Sequence, residues 1–158
     1  MSDKIKVISA YDGRCGIDNV GLHISRRWQG RGDSVVFTKE QIEELQFDTA
    51  FMNMVREGIL YIEDMEVKKE IGIEPEEAEE PTLILLDEKA LRRFWRDMPL
   101  AQFKLETKNL TIQQIKSLAD YAIRHGGEGS IEKANYLTTI SGQNILKGIE
   151  LEKLSQEG

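Results

Sequence analysis

The chain has 158 residues, 40% of them apolar and 31% charged, which excludes wholesale disorder and leaves room for one ordinary domain or two small ones. No uninterrupted apolar run exceeds four residues, far short of the ~20 of a membrane span. The opening MSDKIKVISAYDG turns polar too early for a signal peptide, the net charge of −7 argues against broad nucleic-acid binding, and the single Cys15 excludes an internal disulfide.

Taken in order, KIKVISAY predicts a first strand with Ile5, Val7 and Ile8, stopped by the turn pair Asp12-Gly13. From Val20 to Trp28 the pattern alternates. Val20, Leu22, Ile24 and Trp28 take one face, interrupted by Arg26, while Gly21, His23, Ser25 and Arg27 take the other, as in a half-buried antiparallel strand. Gln29 to Asp33 supplies turn residues, and Ser34–Phe37 reads as the returning strand. Thr38 with Gln41 forms a capping-box pattern opening a helix that buries Ile42 and Leu45. A second short helix is expected from Asp48 or Thr49, burying Phe51 and Val55 and ending at Gly58, with Ile59–Ile62 as a last strand.

The middle of the chain, 63–81, reads EDMEVKKEIGIEPEEAEEP. Its nine carboxylates against Lys68 and Lys69 give a local charge of −7, equal to that of the whole chain. So charged a stretch, with Pro75 and Pro81 around its most acidic part, is expected to be a solvated connector.

Beyond it, Thr82–Leu86 is uniformly apolar and fits a strand or the lead-in to a helix equally well. Asp87 can cap a helix in which Leu91, Phe94, Trp95 and Met98 form a core stripe, with Lys89, Arg92, Arg93 and Arg96 off it. Pro99 suits the start of the next helix, along which Leu100, Phe103 and Leu110 align. Thr111 and Gln114 repeat the capping box, and Ile112, Ile115, Leu118, Ala119, Ala122 and Ile123 make the strongest amphipathic pattern of the chain, closing at His125-Gly126-Gly127. Ser130 can cap a helix through Ile140. Ser141 and Gly142 interrupt it before a last helix begins with Ile145, Leu146 and Ile149. The expected fold is α+β: a small antiparallel β unit with two short helices over 1–62, an acidic linker over 63–81, and a small helical bundle over 82–158.

Chemistry-bearing residues are sparse. Cys15, His23 and His125 lack the spacing of a metal site, and no neighbour of Cys15 marks it as an activated nucleophile. The glycines of Gly30-Arg31-Gly32 and Gly126-Gly127-Glu128-Gly129 read as turns rather than phosphate cradles, and the tripeptide Arg31-Gly32-Asp33 as a hairpin tip. Glu74–Glu80 lacks the alternating ligands and central Gly of a calcium loop. No catalytic residue, metal or cofactor is therefore expected. What remains are two sets of arginines beside a tryptophan, the candidate partner-contact residues Arg26, Arg27, Trp28 and Arg31 in one and Arg92, Arg93 and Arg96 beside Trp95 in the other.

Two stretches carry a resemblance. FTKEQIEELQFDTAFMNMVREGILYIEDMEVKKEIGIEPEEAEEP, with PLAQFKLETKNLTIQQIKSLADYAIRH, resembles small uncharacterised proteins of tailed bacteriophages of Gram-positive hosts, encoded among virion structural genes. The resemblance implies a non-enzymatic particle component of the head or head–tail region, found in the virion and in the host cytoplasm during assembly. Its implied partners are other virion proteins of the capsid or connector, with no small-molecule substrate and no membrane. More locally, LTIQQIKSLADYAIRHGGEGSIEKANYLTTISGQNILKGI resembles helix–extended loop–helix modules of the SAP or LEM-like type. That likeness implies the alternative, a nucleic-acid-associated regulatory protein, although basic and acidic residues are nearly balanced over this stretch.

Overall fold

A computed structural model describes residues 4–157. The fold is α+β and divides into two compact units, between Asp87 and Glu88.

The first unit is organised around β1 (Lys4–Ser9), the central strand of an antiparallel sheet of order β4-β1-β5, with β4 at Ser34–Thr38 and β5 at Leu60–Ile62. Val7 lies opposite Val35 on one side and Ile62 on the other, and Ile5 opposite Phe37. Ile5, Val7, Phe37, Leu60 and Ile62 are all buried, so the alternation along β1 faces one core. A separate hairpin pairs β2 (Cys15–Asn19) with β3 (Ile24–Trp28).

This corrects the expected strand from Val20 to Trp28. Residues 20–23 are the hairpin turn, held by His23 N–H on the Val20 carbonyl and Leu22 N–H on Asn19 Oδ1, and Val20 is 86% exposed. His23 adopts a positive φ of 55°, which ends the alternation that sequence spacing suggests. Ser34–Thr38 is a strand as expected, but it returns onto β1 rather than β3. The loop before it is already tied to the end of β1, since Gly32 N–H donates to the Ser9 carbonyl (2.7 Å) and Ser9 N–H to the Asp33 carbonyl (2.8 Å).

The helices α1 (Lys39–Leu45) and α2 (Thr49–Arg56) follow their caps. Thr38 and Gln41 form the reciprocal capping box, Asp48 accepts from Phe51 N–H, and Ile42, Leu45, Phe51 and Val55 are buried. Gly58, at φ 81°, closes α2 in a Schellman turn, with Ile59 N–H on the Met54 carbonyl.

The acidic stretch is where the fold departs most from the sequence reading. Residues 64–74 are not a solvated connector. Asp64 caps a third helix, α3 (Met65–Glu70), by accepting from Val67 N–H, and Val67 and Ile71 join the core of the first unit. Gly72, at φ 82°, turns the chain, and Glu74 becomes buried. The glutamates at 63, 66, 70, 76, 77, 79 and 80 remain exposed, the last four of them together on one loop. Thr82–Leu86 is neither strand nor helix, and Leu86 is buried.

The second unit is helical. α4 (Glu88–Arg92) runs directly into one π turn (Arg93–Asp97), closed by Met98 N–H on the Arg93 carbonyl at 2.8 Å. Leu91, Phe94, Trp95 and Met98 are all buried, the stripe expected. Then come α5 (Leu100–Glu106), α6 (Ile112–Arg124), α7 (Ile131–Ser141) and α8 (Ile145–Glu157). Thr111 and Gln114 form their capping box, and Ile115, Leu118, Ala119 and Ala122 are buried in α6, which packs on both α7 and α8. Ile112, placed in that stripe by spacing, is the first residue of α6 and is 80% exposed. Gly148 lets α8 approach Ile123 of α6, since a Cβ there would lie 2.7 Å from Ile123 Cδ1.

Candidate functional site

Both tryptophans are core. Trp28 is fully buried, tilted against Phe37 with ring centroids 6.1 Å apart, and its indole N–H donates to the Val7 carbonyl at 3.0 Å. Trp28 is therefore removed from the candidate contact set, because a side chain with no exposure cannot meet a partner in this fold. Trp95 is likewise fully buried, with its N–H on the His125 carbonyl at 2.8 Å. Gly129 lies so close to its ring that a Cβ would collide with it, which gives the second glycine cluster a packing role.

The arginines are engaged locally. Arg26 sits over the Phe37 ring at 5.8 Å, which explains a charge on the apolar side of the alternation. Arg27 pairs with Asp18 at 2.7 Å and also donates to the Ile17 and Arg26 carbonyls. The Arg27 guanidinium and a hydrogen bond from Ser25 hold the Asp18 carboxyl below its usual range. Arg31 Nε donates to the Ala10 carbonyl at 3.1 Å, and Asp33 accepts from Gln29 N–H and Ser34 N–H, so Arg31-Gly32-Asp33 is a locked turn. In the second unit Arg92 is exposed, Arg93 lies 3.6 Å from Glu106 and over the Phe94 ring, and Arg96 pairs with Asp97 at 2.7 Å. The structure brings Arg26, Arg27 and Arg31 together near one hairpin and Arg92, Arg93 and Arg96 along one segment. Most of that charge is already matched by carboxylates or carbonyls.

A cleft of about 370 Å³ beside the hairpin is lined by Arg14, Cys15, Gly16, Asp18, Arg27 and Gln29. Cys15 is half-buried there, its Sγ 3.8 Å from Ser9 Oγ. Burial raises the thiol pKa, the Asp33 charge adds to the rise, and the Ser9 hydrogen bond offsets only part of it. That is opposite to the activation a nucleophilic thiolate requires. A second cleft of about 240 Å³ lies along His125, Gly126, Glu128, Ile149 and Lys153. His125 Nδ1 is 2.9 Å from Glu128 Oε2, and its ring stacks on Tyr121 at 4.1 Å. His23 is exposed in the hairpin turn. Among the described residues, no group of three or more His, Cys, Asp or Glu side chains converges as metal ligands would.

Two ionisable groups that spacing did not single out are deeply enclosed. Lys68 and Glu74 are almost wholly buried, their Nζ and Oε2 3.9 Å apart, with the ammonium 4.3 Å over the Tyr61 ring. Glu74 accepts from Thr82 N–H and hydroxyl and from Leu83 N–H, closing the exposed acidic loop at its base. Burial opposes its ionisation, but these donors and the Lys68 charge outweigh it and hold the carboxyl below the usual range. Burial pulls Lys68 down, with Glu74 and Asp64 pushing back. Tyr61 is pushed up by the same burial and by Glu74 and Glu63. In the second unit, buried Lys133 donates to the Phe94 and Trp95 carbonyls at 2.8 and 2.9 Å.

The described surface also carries apolar side chains. Val20, Val36 and Phe47 are exposed in the first unit, and Leu105, Ile112, Ile131, Leu146, Leu151 and Leu154 in the second. No family model matches the chain, and neither the curated proteins nor the solved structures compared with it contain a match.

Proposed function

We propose that this protein acts without catalysis, through protein contacts, as a structural or assembly component of a tailed-phage particle. The observation that carries the contact reading is helix α8. Its inner face seats buried Ile145 and half-buried Ile149, and Leu151 and Leu154 on its outer side are 57% and 59% exposed. A helix that serves one core needs one apolar stripe, so a second one favours a further partner. The matched charges of Arg93 and Arg96 favour a protein partner over a nucleic-acid one, since a phosphate-binding face needs unneutralised cations. The particle assignment rests on the sequence resemblance to phage virion proteins.

The test is incorporation. Phage particles purified on a density gradient from cells expressing the chain should contain it at fixed stoichiometry. A Leu151→Asp/Leu154→Asp variant should melt as the wild type does yet be lost from particles. A wild-type chain recovered only in the soluble fraction overturns the particle reading.

A further inference from the structure

The first unit holds a pinned apolar tip. Val20 and Phe47 are its two most exposed large apolar residues, at 86% and 84%. They belong to different turns, the β2–β3 hairpin turn and the α1–α2 connection, and one hydrogen bond ties those turns together. Asn19 Nδ2 donates to Asp48 Oδ2 at 2.9 Å, and each partner is the chain neighbour of one of the exposed residues. The tie is shared on both sides. Asn19 Oδ1 also accepts from Leu22 N–H at 3.0 Å, shaping the hairpin turn, and Asp48 Oδ1 accepts from Phe51 N–H at 3.0 Å, capping α2. Both turns are thus ordered before anything meets them, so little entropy is lost when an apolar partner docks.

The surroundings are negative. The last turn of α1, immediately before Phe47, holds Glu43 and Glu44 and no basic residue. It is also the carbonyl end of the helix, where the acidic side chains of Glu43 and Glu44 are unfavourable, whereas Asp48, two residues beyond Gln46, adds a charge that the N-terminus of α2 already favours. That unfavourable placement is relieved by a cation and worsened by an anionic surface. Asp18, on β2, is already answered by Arg27.

We propose that this tip is a docking surface for a basic, apolar segment of a partner protein, with Val20 and Phe47 as anchors and Glu43, Glu44 and Asp48 as its charged rim. The proposal rests on the contact reading above and names one of its surfaces and the chemistry of what it takes.

The experiment uses the full chain and a fluorescent amphipathic Leu/Lys peptide, followed by anisotropy. A Leu/Glu peptide of the same spacing, anionic phosphatidylglycerol vesicles and sedimentation of the chain alone are the other arms. The Leu/Lys peptide should bind, and Phe47→Ala/Val20→Ser should weaken it at least about tenfold with an unchanged melting temperature. Glu43→Lys/Glu44→Lys should weaken it comparably, and neither the acidic peptide nor the vesicles should bind. No binding of the Leu/Lys peptide overturns the proposal, as does equal binding by the apolar variant, which marks mere charge adsorption. Equal binding of the acidic peptide or vesicles, or self-association lost in the apolar variant, assigns the tip to another occupant and also overturns it. Wild-type particle incorporation with a failed titration removes this surface alone. Failed incorporation with a successful titration removes the particle reading alone.

Discussion

Each unit is built on one buried tryptophan and, among the described residues, one buried lysine, and the two lysines are satisfied in opposite ways. Lys133 reaches the end of the π turn and donates to two carbonyls. The N–H that the Phe94 carbonyl would meet one π turn onward belongs to Pro99, which has none, so the ammonium fills a gap made by the backbone. Lys68 donates no hydrogen bond. It is held by the Glu74 charge and the Tyr61 ring, while Glu74 is itself served by Thr82 and Leu83. The lesson is that burial alone does not rank the two cations. What each would leave behind on removal does.

The tryptophans set the upper end of that comparison. Trp95→Ala and Trp28→Ala should each cost about 3–5 kcal/mol through lost burial and the cavity left behind. Because each unit holds one tryptophan, fluorescence of either mutant reports the untouched unit, while circular dichroism reports the whole chain, and the difference between the two melts belongs to the damaged unit. A mutant with an unchanged melting temperature would remove that tryptophan from the core.

Lys133→Met should follow, at about 2–4 kcal/mol, since two buried carbonyls lose their donor at roughly 1–3 kcal/mol each while relief of the ammonium's own desolvation offsets part of that loss. Chemical denaturation of the full chain measures it, and a cost below that of Lys68→Met would reverse the comparison.

Glu74→Gln should cost about 2 kcal/mol at neutral pH, the scale of hydrogen bonds to a charged acceptor. Glu74 titrates lower when folded than when unfolded, so its contribution is present above the unfolded carboxylate range and is lost as pH falls through the lower folded value. The wild type and Glu74→Gln should therefore converge in stability in acid, and parallel curves down to low pH would count against the clasp. The same variant should speed proteolysis within 75–81, whose exposed loop is closed at its base by Glu74.

Lys68→Met should have the smallest effect, within about 1 kcal/mol of wild type. The buried Glu74 carboxylate loses its cation, but Lys68 makes no hydrogen bond, its own desolvation cost is relieved, and the Thr82 and Leu83 donors that do more to hold Glu74 ionised remain. A loss as large as that of Lys133→Met would mean that the Lys68 charge, and not Thr82, holds Glu74.

Local rules made much of this molecule legible from its sequence. Capping boxes at Thr38–Gln41 and Thr111–Gln114, the cap at Ser130 and the stop at Gly58 act within a few residues, so spacing suffices to place them. The core stripe Leu91, Phe94, Trp95 and Met98 was legible for the same reason, although the π turn within it was not. The acidic helix α3 had a signal of its own, Asp64 as cap, Val67 and Ile71 at i and i+4 and Gly72 as stop, hidden by the average charge of its surroundings. Tertiary contacts alone decided the rest. Strand alternation does not say which edge a strand will join, so β4 could be read onto β3 although it pairs with β1. Spacing also put Val20 and Ile112 on apolar faces, yet both lie in solvent, Val20 in the hairpin turn and Ile112 in the first turn of α6. The polar pairs Lys68–Glu74 and Asn19–Asp48 join residues 6 and 29 positions apart through geometry that no periodicity encodes.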